Sequence, residues 1–138
     1  MPSPKDLMRE ARRALRGAYA PYSGIHVGAA VLAGRRTYSG CNIENASLGL
    51  SVCAERVAVF KAVSEGRRSI RAVVIASDAP DGLMPCGACL QVISEFAENG
   101  GIPIIVGGAK DEPHHYTLEQ LLPGGVRLKR TVAEAIER

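Results

Sequence analysis

The chain has 138 residues, 46% of them hydrophobic and only 4% aromatic, with a formal net charge of +3. This length predicts a single domain over residues 1–138 with a mainly aliphatic core. The small net charge gives no indication of nucleic-acid binding, and no apolar run approaches the roughly 20 residues that a membrane span requires.

The first half of the chain predicts a helix, a β-hairpin and a second helix. Leu7 and Ala11 belong to an apolar series at helical spacing that predicts a helix over residues 4–18. Residues 26–33 and Arg36–Cys41 are two β-type runs around a short turn, which predicts a hairpin. Apolar residues at helical spacing over residues 53–64 predict a helix that ends before Gly66.

The second half predicts strands that alternate with helices. Ile70–Ser77 contains a continuous apolar run typical of a strand buried on both faces. A helix is predicted over residues 86–98 and a second buried strand over residues 102–106. Residues 116–122 predict a strand end with a helical turn, and residues 131–138 predict a terminal helix.

This order of elements predicts an α/β fold, a three-layer α/β/α sandwich on a mixed, mostly parallel sheet. The helices over residues 53–64 and 86–98 each lead into a strand. We therefore expect their N-termini to meet at one edge of the sheet.

Three of the four cysteines lie where a metal site is expected. Cys86 and Cys89 follow Pro85 at a predicted helix start, where their spacing puts both sulfurs on one face. Cys53 begins the other helix, and a helix N-terminus favours the thiolate form. Three protein ligands with one open position are typical of a catalytic zinc site. Free thiols and the absence of an apolar N-terminal signal suit a reducing cytoplasm.

Glu55 follows Cys53 by two positions. A carboxylate in the first helical turn, beside an open metal position, is placed to move protons without being a ligand. A redox Cys-x-x-Cys pair or a structural zinc knuckle remains an alternative. A structural zinc needs a fourth ligand, and nothing in the sequence brings Cys41 to the other three. The combination of Cys-x-Glu with Pro-Cys-x-x-Cys is the pattern of zinc deaminases.

Further blocks of sequence resemble those of small, homotetrameric, zinc-dependent cytidine deaminases, in the same order. They are YAPYS at 19–23, VGAA at 27–30, GCNIENA at 40–46, CAER at 53–56, KAVSEG at 61–66, PCGAC at 85–89 and LLP at 121–123. The resemblance runs from the first predicted helix to Pro123. It implies one cytidine deaminase-like domain with Zn²⁺ as cofactor, assembled as a homotetramer.

The resemblance also implies roles for residues beside the predicted metal ligands. Glu55 is the implied proton shuttle, and Arg56 is implied to hydrogen-bond the ligand sulfurs and offset their charge. Asn42 and Glu44 are implied to bind the ribose, and the backbone of Ala54 to contact the pyrimidine carbonyl. The alternative for these polar residues is an ordinary role in helix capping, loop capping or a solvated surface.

Four positions depart from the family pattern. Ile25, Leu48 and Val126 replace aromatic residues, and Leu90 replaces an arginine. The family aromatics at the positions of Ile25 and Val126 help to enclose the substrate, the latter from a neighbouring subunit. These replacements make the identity of the substrate less secure than the chemistry.

We predict hydrolytic deamination of cytidine and deoxycytidine, to uridine or deoxyuridine and ammonia, in pyrimidine salvage. The partner is therefore a small nucleoside. One alternative is a deaminase of another aminopyrimidine nucleoside, such as a blasticidin-type antibiotic. A second alternative is a non-catalytic zinc-stabilised protein. Glu55 argues against it, because a structural zinc site has no use for a proton shuttle. His26, His114 and His115 are predicted to be surface residues rather than ligands.

Overall fold

A computed structural model describes residues 1–110 and 112–128 of the chain. The strands are β1 (Val27–Ala33), β2 (Arg36–Cys41), β3 (Ile70–Ser77), β4 (Pro103–Gly107) and β5 (His114–Thr117). The helices are α1 (Pro4–Leu15), α2 (Ala54–Ser64), α3 (Gly87–Phe96) and α4 (Leu118–Leu121), with a 3₁₀ turn at Leu48–Leu50. Across these described ranges, no helix has both the length and the hydropathy that crossing a membrane demands.

The five strands form one mixed sheet in the order β2-β1-β3-β4-β5. Among the strand pairs of the described residues, β3–β4 is the only parallel pair, and the other three are antiparallel. The prediction of a mixed sheet is confirmed, but the prediction that it is mostly parallel is wrong. The reason lies in the crossover through α2, which connects β2 to β3 across the intervening β1. These two strands run in the same direction but are not neighbours.

Helices cover both faces of the sheet, which confirms the three-layer prediction. On one face, α1 packs through Leu7, Met8 and Ala11. On the other, α2 and α3 pack through residues that include Val59 and Ile93. The buried side chains of the core are aliphatic apart from Tyr38 and a few small or polar residues, as the composition predicts.

Two glycines allow helices to lie directly on the sheet. A Cβ atom at Gly28 would lie 1.9 Å from the carbonyl oxygen of Ala11 in α1. A Cβ atom at Gly40 would lie 2.8 Å from the carbonyl oxygen of Ala54, in the first turn of α2. Gly40 therefore sets how closely the N-terminus of α2 approaches β2, and with it the position of Cys53.

Predicted and observed boundaries differ mainly at helix ends. α1 stops at Leu15 rather than at residue 18, because the chain enters a turn and Tyr19 N–H then donates to the Asn42 carbonyl. α3 stops at Phe96 because the Glu98 N–H donates to the carbonyl of Ile70, the first residue of β3. Strand β5 begins earlier than predicted, at His114. The helix predicted over residues 131–138 lies outside the described residues.

Candidate active site

Two helix N-termini bring three cysteines together. Cys53 is the N-cap residue of α2, Cys86 is the N-cap residue of α3, and Cys89 lies in the first turn of α3. The Cys53 and Cys86 sulfurs are 4.0 Å apart, and those of Cys86 and Cys89 are 3.5 Å apart. All three sulfurs lie within 4.8 Å of one another. Cys41, at the end of β2, is not a member of this cluster.

The spacing of the three sulfurs fits a tetrahedral zinc site. With Zn–S bonds of about 2.3 Å, tetrahedral geometry puts sulfurs about 3.8 Å apart. The two measured separations, 4.0 and 3.5 Å, lie on either side of that value. Cys53, Cys86 and Cys89 are therefore the residues that would hold the ion, leaving a fourth position for a non-protein ligand.

Hydrogen bonds and burial shift the pKa values of two cysteines in the cluster. Hydrogen bonding from the Cys89 thiol, together with the Arg56 guanidinium, lowers the pKa of Cys53 to about 5. The Arg56 Nη2 atom donates to the Cys53 sulfur at 3.4 Å. Donation to Cys53 and burial raise the pKa of Cys89 above its ordinary value. Arg56 thus stabilises negative charge on sulfur.

Glu55 is a buried acid at the first turn of α2. Its exposed fraction is 4%, and burial raises its pKa to about 7, with a further contribution from the nearby charge of Cys53. A carboxyl group with a pKa near neutrality can both accept and donate a proton under the same conditions. Glu55 lines the adjoining cleft together with Cys53 and Cys86 but is not a member of the metal-binding cluster, which suits it to proton transfer rather than to metal binding.

A cleft of about 270 Å³ opens beside the cysteine cluster. Cys53, Ala54, Glu55 and Cys86 form its floor at the helix N-termini. No side chain caps α2, so the first N–H groups of the helix are free to face a ligand. The remaining lining residues are Ser23, Ile25, Val27, Asn42, Glu44, Ser51, Val52, Ile75, Leu83 and Met84.

Asn42 and Glu44 line this cleft, and their side chains hydrogen-bond the backbone of residues 22–27, which form one side of it. The Asn42 side chain accepts from the Val27 N–H at 2.9 Å and donates to the Ile25 carbonyl at 2.8 Å. The Glu44 carboxylate accepts from the N–H groups of Tyr22 and Ser23, both at 3.1 Å. Each side chain therefore meets the cleft in a fixed orientation.

The structure also contains contacts that the sequence analysis did not find. The N–H and the ring Nδ1 of His26 contact the two carboxylate oxygens of Asp78, at 3.1 and 2.7 Å. Leu83 and Met84 line the cleft. No motif marks these residues, because the contacts join segments far apart in sequence. None of the three histidines belongs to a metal-binding cluster within the part of the chain that is described.

The positions that depart from the family pattern have different environments. Ile25 lines the cleft and is partly exposed. Leu90 is buried in the core on the α2 and α3 face of the sheet. Val126 is 63% exposed, and its backbone N–H and carbonyl both bond the Gln91 side-chain amide, at 3.1 and 3.0 Å. Leu48 is exposed in the 3₁₀ turn.

A larger groove lies on the opposite face of the sheet. It has a volume of about 1290 Å³ and is lined by α1 side chains, among them Arg9, Arg12 and Arg16. It contains none of the cysteines and neither Glu55 nor Asn42. Size alone therefore does not identify the active site, whereas the chemistry of the smaller cleft does.

Comparisons with known proteins agree with this geometry. The family described as the cytidine and deoxycytidylate deaminase zinc-binding region matches residues 1–102. A cytidine deaminase of Sporosarcina psychrophila is 47% identical over 119 residues, covering 86% of this chain and 87% of that protein. A blasticidin-S deaminase of Bacillus cereus is 32% identical over 111 residues, covering 71% of this chain and 74% of that protein.

Solved structures show the same fold. The crystal structure of cytidine deaminase from Burkholderia pseudomallei superposes with a TM-score of 0.84 at 34% sequence identity. The match covers 90% of this chain and 99% of the other.

Proposed function

Because this chain belongs to the cytidine and deoxycytidylate deaminase zinc-binding family, we propose that Glu55 is the proton shuttle of its hydrolytic reaction. The chain is a zinc-binding enzyme that deaminates cytidine. The observation that carries the proposed mechanism is the buried Glu55 carboxyl beside the three cysteines, with its pKa raised to about 7.

Cys53, Cys86 and Cys89 are the proposed zinc ligands. A zinc ion bound there supplies Lewis acidity, which lowers the pKa of a coordinated water molecule. Three thiolates carry more negative charge than the ion neutralises. The Arg56 guanidinium, 3.4 Å from the Cys53 sulfur, offsets that excess and holds the sulfur in place.

Glu55 moves two protons in the proposed reaction. Water adds to C4 of the cytosine ring, and Glu55 accepts its proton and delivers it to ring nitrogen N3. The proton of the new C4 hydroxyl then passes through Glu55 to the exocyclic amine. The C4–N bond breaks, ammonia leaves and the C4 carbonyl of uridine forms. Both transfers need a carboxyl group that changes protonation state near neutral pH.

The nucleoside is held by residues that the folded chain has already oriented. Ala54, at the N-terminus of α2, offers a backbone N–H to the pyrimidine carbonyl. Asn42 and Glu44 take the ribose hydroxyls. Because deoxycytidine keeps a 3′-hydroxyl for this contact, it is also a proposed substrate, and the proposed pathway role is pyrimidine salvage.

A substrate panel tests this function. Purified protein should release ammonia from cytidine and deoxycytidine, and a Glu55→Gln variant should not. The alternative substrate is a blasticidin-type nucleoside. It is supported by the 32% identical blasticidin-S deaminase and by Ile25, which lines the cleft where the resemblance implies an aromatic residue. Ammonia release from blasticidin S without any from cytidine would overturn the assignment.

We also propose that the single domain assembles as a homotetramer in the cytoplasm. Support comes from an apolar exposed face formed by Ile43, Leu50 and Phe60. This face borders a mostly apolar cleft that shares Glu44 and Val52 with the substrate cleft. In a tetramer, a second copy covers this face, and the exposed Val126 closes a neighbour's substrate cleft. Four free cysteines suit the reducing compartment.

A further inference from the structure

The Glu44 carboxylate has an unusual number of donors for a partly exposed side chain. Its Oε1 atom accepts from the N–H groups of Tyr22 and Ser23, each at 3.1 Å. Its Oε2 atom accepts from the Ser23 hydroxyl. An ionised carboxylate offers about four acceptor positions, two on each oxygen. Three of these acceptor positions are filled by the hydrogen bonds above, so one acceptor position remains free, on Oε2.

The Ser23 hydroxyl has no freedom to point elsewhere. Its oxygen accepts a hydrogen bond from the Ile25 N–H at 3.0 Å, and its single hydrogen is donated to Glu44. A continuous relay therefore runs from the Ile25 N–H through the Ser23 hydroxyl to Oε2. Ser23, Ile25 and Glu44 all line the substrate cleft.

We propose that Ser23 is a positioning residue for ribose recognition, which holds the Glu44 carboxylate so that its one free acceptor position meets a sugar hydroxyl. This inference rests on the proposed function, in which Glu44 binds the ribose. The same contacts, chiefly the Ser23 hydroxyl, hold the pKa of Glu44 below its ordinary value. The carboxylate is consequently an acceptor only, at neutral pH.

Removal of the hydroxyl has a specific expected consequence. In Ser23→Ala, Oε2 has two free acceptor positions, and the carboxylate can pivot about Oε1, which the N–H groups of residues 22 and 23 still hold. We expect KM for cytidine to rise about tenfold, because a hydrogen bond to a charged group orients the ligand-binding oxygen. We expect kcat to change less than about twofold, since Ser23 does not contact the reacting atoms. Ser23→Thr keeps the hydroxyl and should restore KM.

The chain contains a closely matched control. Ser3 donates its N–H and its hydroxyl to one carboxylate, that of Asp6, at 2.8 and 2.9 Å, and accepts the Asp6 N–H. It lies at the N-terminus of α1 and does not line the substrate cleft. Ser3→Ala should lower thermal stability slightly and leave KM unchanged.

Two measurements separate positioning of the ribose contact from a general structural role. The Ser23→Ala penalty should disappear for 2′,3′-dideoxycytidine, which lacks the 2′- and 3′-hydroxyls that Glu44 is proposed to bind, whereas a distorted cleft would weaken both nucleosides. Ser23→Ala should also add nothing to the KM of Glu44→Gln in the double variant.

The possible outcomes distinguish the positioning role of Ser23 from the proposed binding of ribose by Glu44. If Glu44→Gln raises KM but Ser23→Ala does not, the role of Ser23 is wrong and ribose binding by Glu44 stands. If Glu44→Gln leaves KM unchanged, the ribose role of Glu44 is wrong, and the inference about Ser23 falls with it. An equal Ser23→Ala penalty on cytidine and the dideoxy nucleoside also overturns the inference.

Discussion

Cys53 and Cys86 are the N-cap residues of two different helices, and their sulfurs lie 4.0 Å apart. Each helix contributes unpaired N–H groups and a partial positive charge at that end. Both features attract negative charge to this part of the site. The meeting of two helix N-termini therefore prepares a cation site before any ion binds.

The metal assignment predicts a clear difference among the four cysteines. Replacing Cys53, Cys86 or Cys89 with serine should remove most bound zinc, because each loses one of three protein ligands. Cys41→Ser is the matched control and should retain one zinc per chain, since Cys41 is outside the cluster. Metal analysis of the purified variants measures this. Zinc lost from Cys41→Ser but kept in Cys53→Ser would contradict the assignment.

Glu55→Gln should separate folding and metal binding from catalysis. Gln is nearly isosteric and leaves Cys53 and the Arg56 contact intact, so zinc content and melting temperature should stay close to wild type. The variant cannot accept a proton, and kcat should fall by about 10²–10⁴-fold or more. Steady-state ammonia release is the measurement. A variant with nearly normal kcat would rule out the shuttle.

Ile25→Phe should tighten the substrate cleft. Ile25 lines the cleft at a position where the sequence resemblance implies an aromatic residue, and stacking of a base on an aromatic side chain contributes ~1–3 kcal/mol. We expect KM for cytidine to fall up to about tenfold with kcat little changed, as uniform binding affects KM alone. Val126→Phe should act in the same direction if Val126 closes a neighbour's cleft.

The control for this prediction is Leu128→Phe, which adds a ring at an exposed position outside the cleft. Its KM should equal that of wild type. A rise in KM for Ile25→Phe would instead indicate a cleft shaped for a bulkier base, and the blasticidin-type alternative would gain.

The contact between His26 and Asp78 predicts a pH-dependent contribution to stability. Hydrogen bonding from His26 holds the pKa of the Asp78 carboxyl below its ordinary value of 3.8. The stabilisation is therefore present above pH 3.8 and is lost as the pH falls through the lower folded-state pKa. Exposed contacts of this kind contribute about 0.2–1 kcal/mol.

Asp78→Asn should accordingly lower Tm by roughly 1–5 °C at pH 7, and the difference should vanish at acidic pH. Glu10→Gln, which removes the exposed ion pair with Arg13, is the control and should change Tm less. Thermal melts from pH 7 down to pH 3 measure both. A difference that grows as the pH falls would have the wrong sign for this account.

Phe60→Glu should weaken the proposed assembly. Phe60 is 48% exposed beside Leu50 and Ile43, and a charge placed there is unfavourable once a second copy covers the face. Light scattering at micromolar concentration should show smaller particles than wild type, together with reduced activity. Leu128→Glu, outside this face, should leave the particle size unchanged. A fully active wild-type monomer would end the proposal.

Sequence alone located the elements that present the proposed metal ligands. Strands β2 and β3 were predicted with their observed ends, and the helices after Cys53 and Cys86 were predicted within a residue at their N-termini. These features depend on short-range physics: hydrophobic periodicity, a proline before a helix, and the three-residue spacing of Cys86 and Cys89. Such signals lie within a few residues of the positions that they determine.

Tertiary structure decided the contacts between distant segments. The Glu44 carboxylate accepts hydrogen bonds from Tyr22 and Ser23, which lie 22 and 21 residues away in sequence. The contact between His26 and Asp78 joins residues 52 positions apart. Strand direction likewise depended on the crossover through α2, which passes over β1. A hydrogen bond between residues far apart in sequence produces no periodic pattern in the sequence, because its partners become neighbours only after the sheet has formed. The sequence resemblance could therefore predict a binding role for Glu44, but only the folded chain shows what orients its side chain.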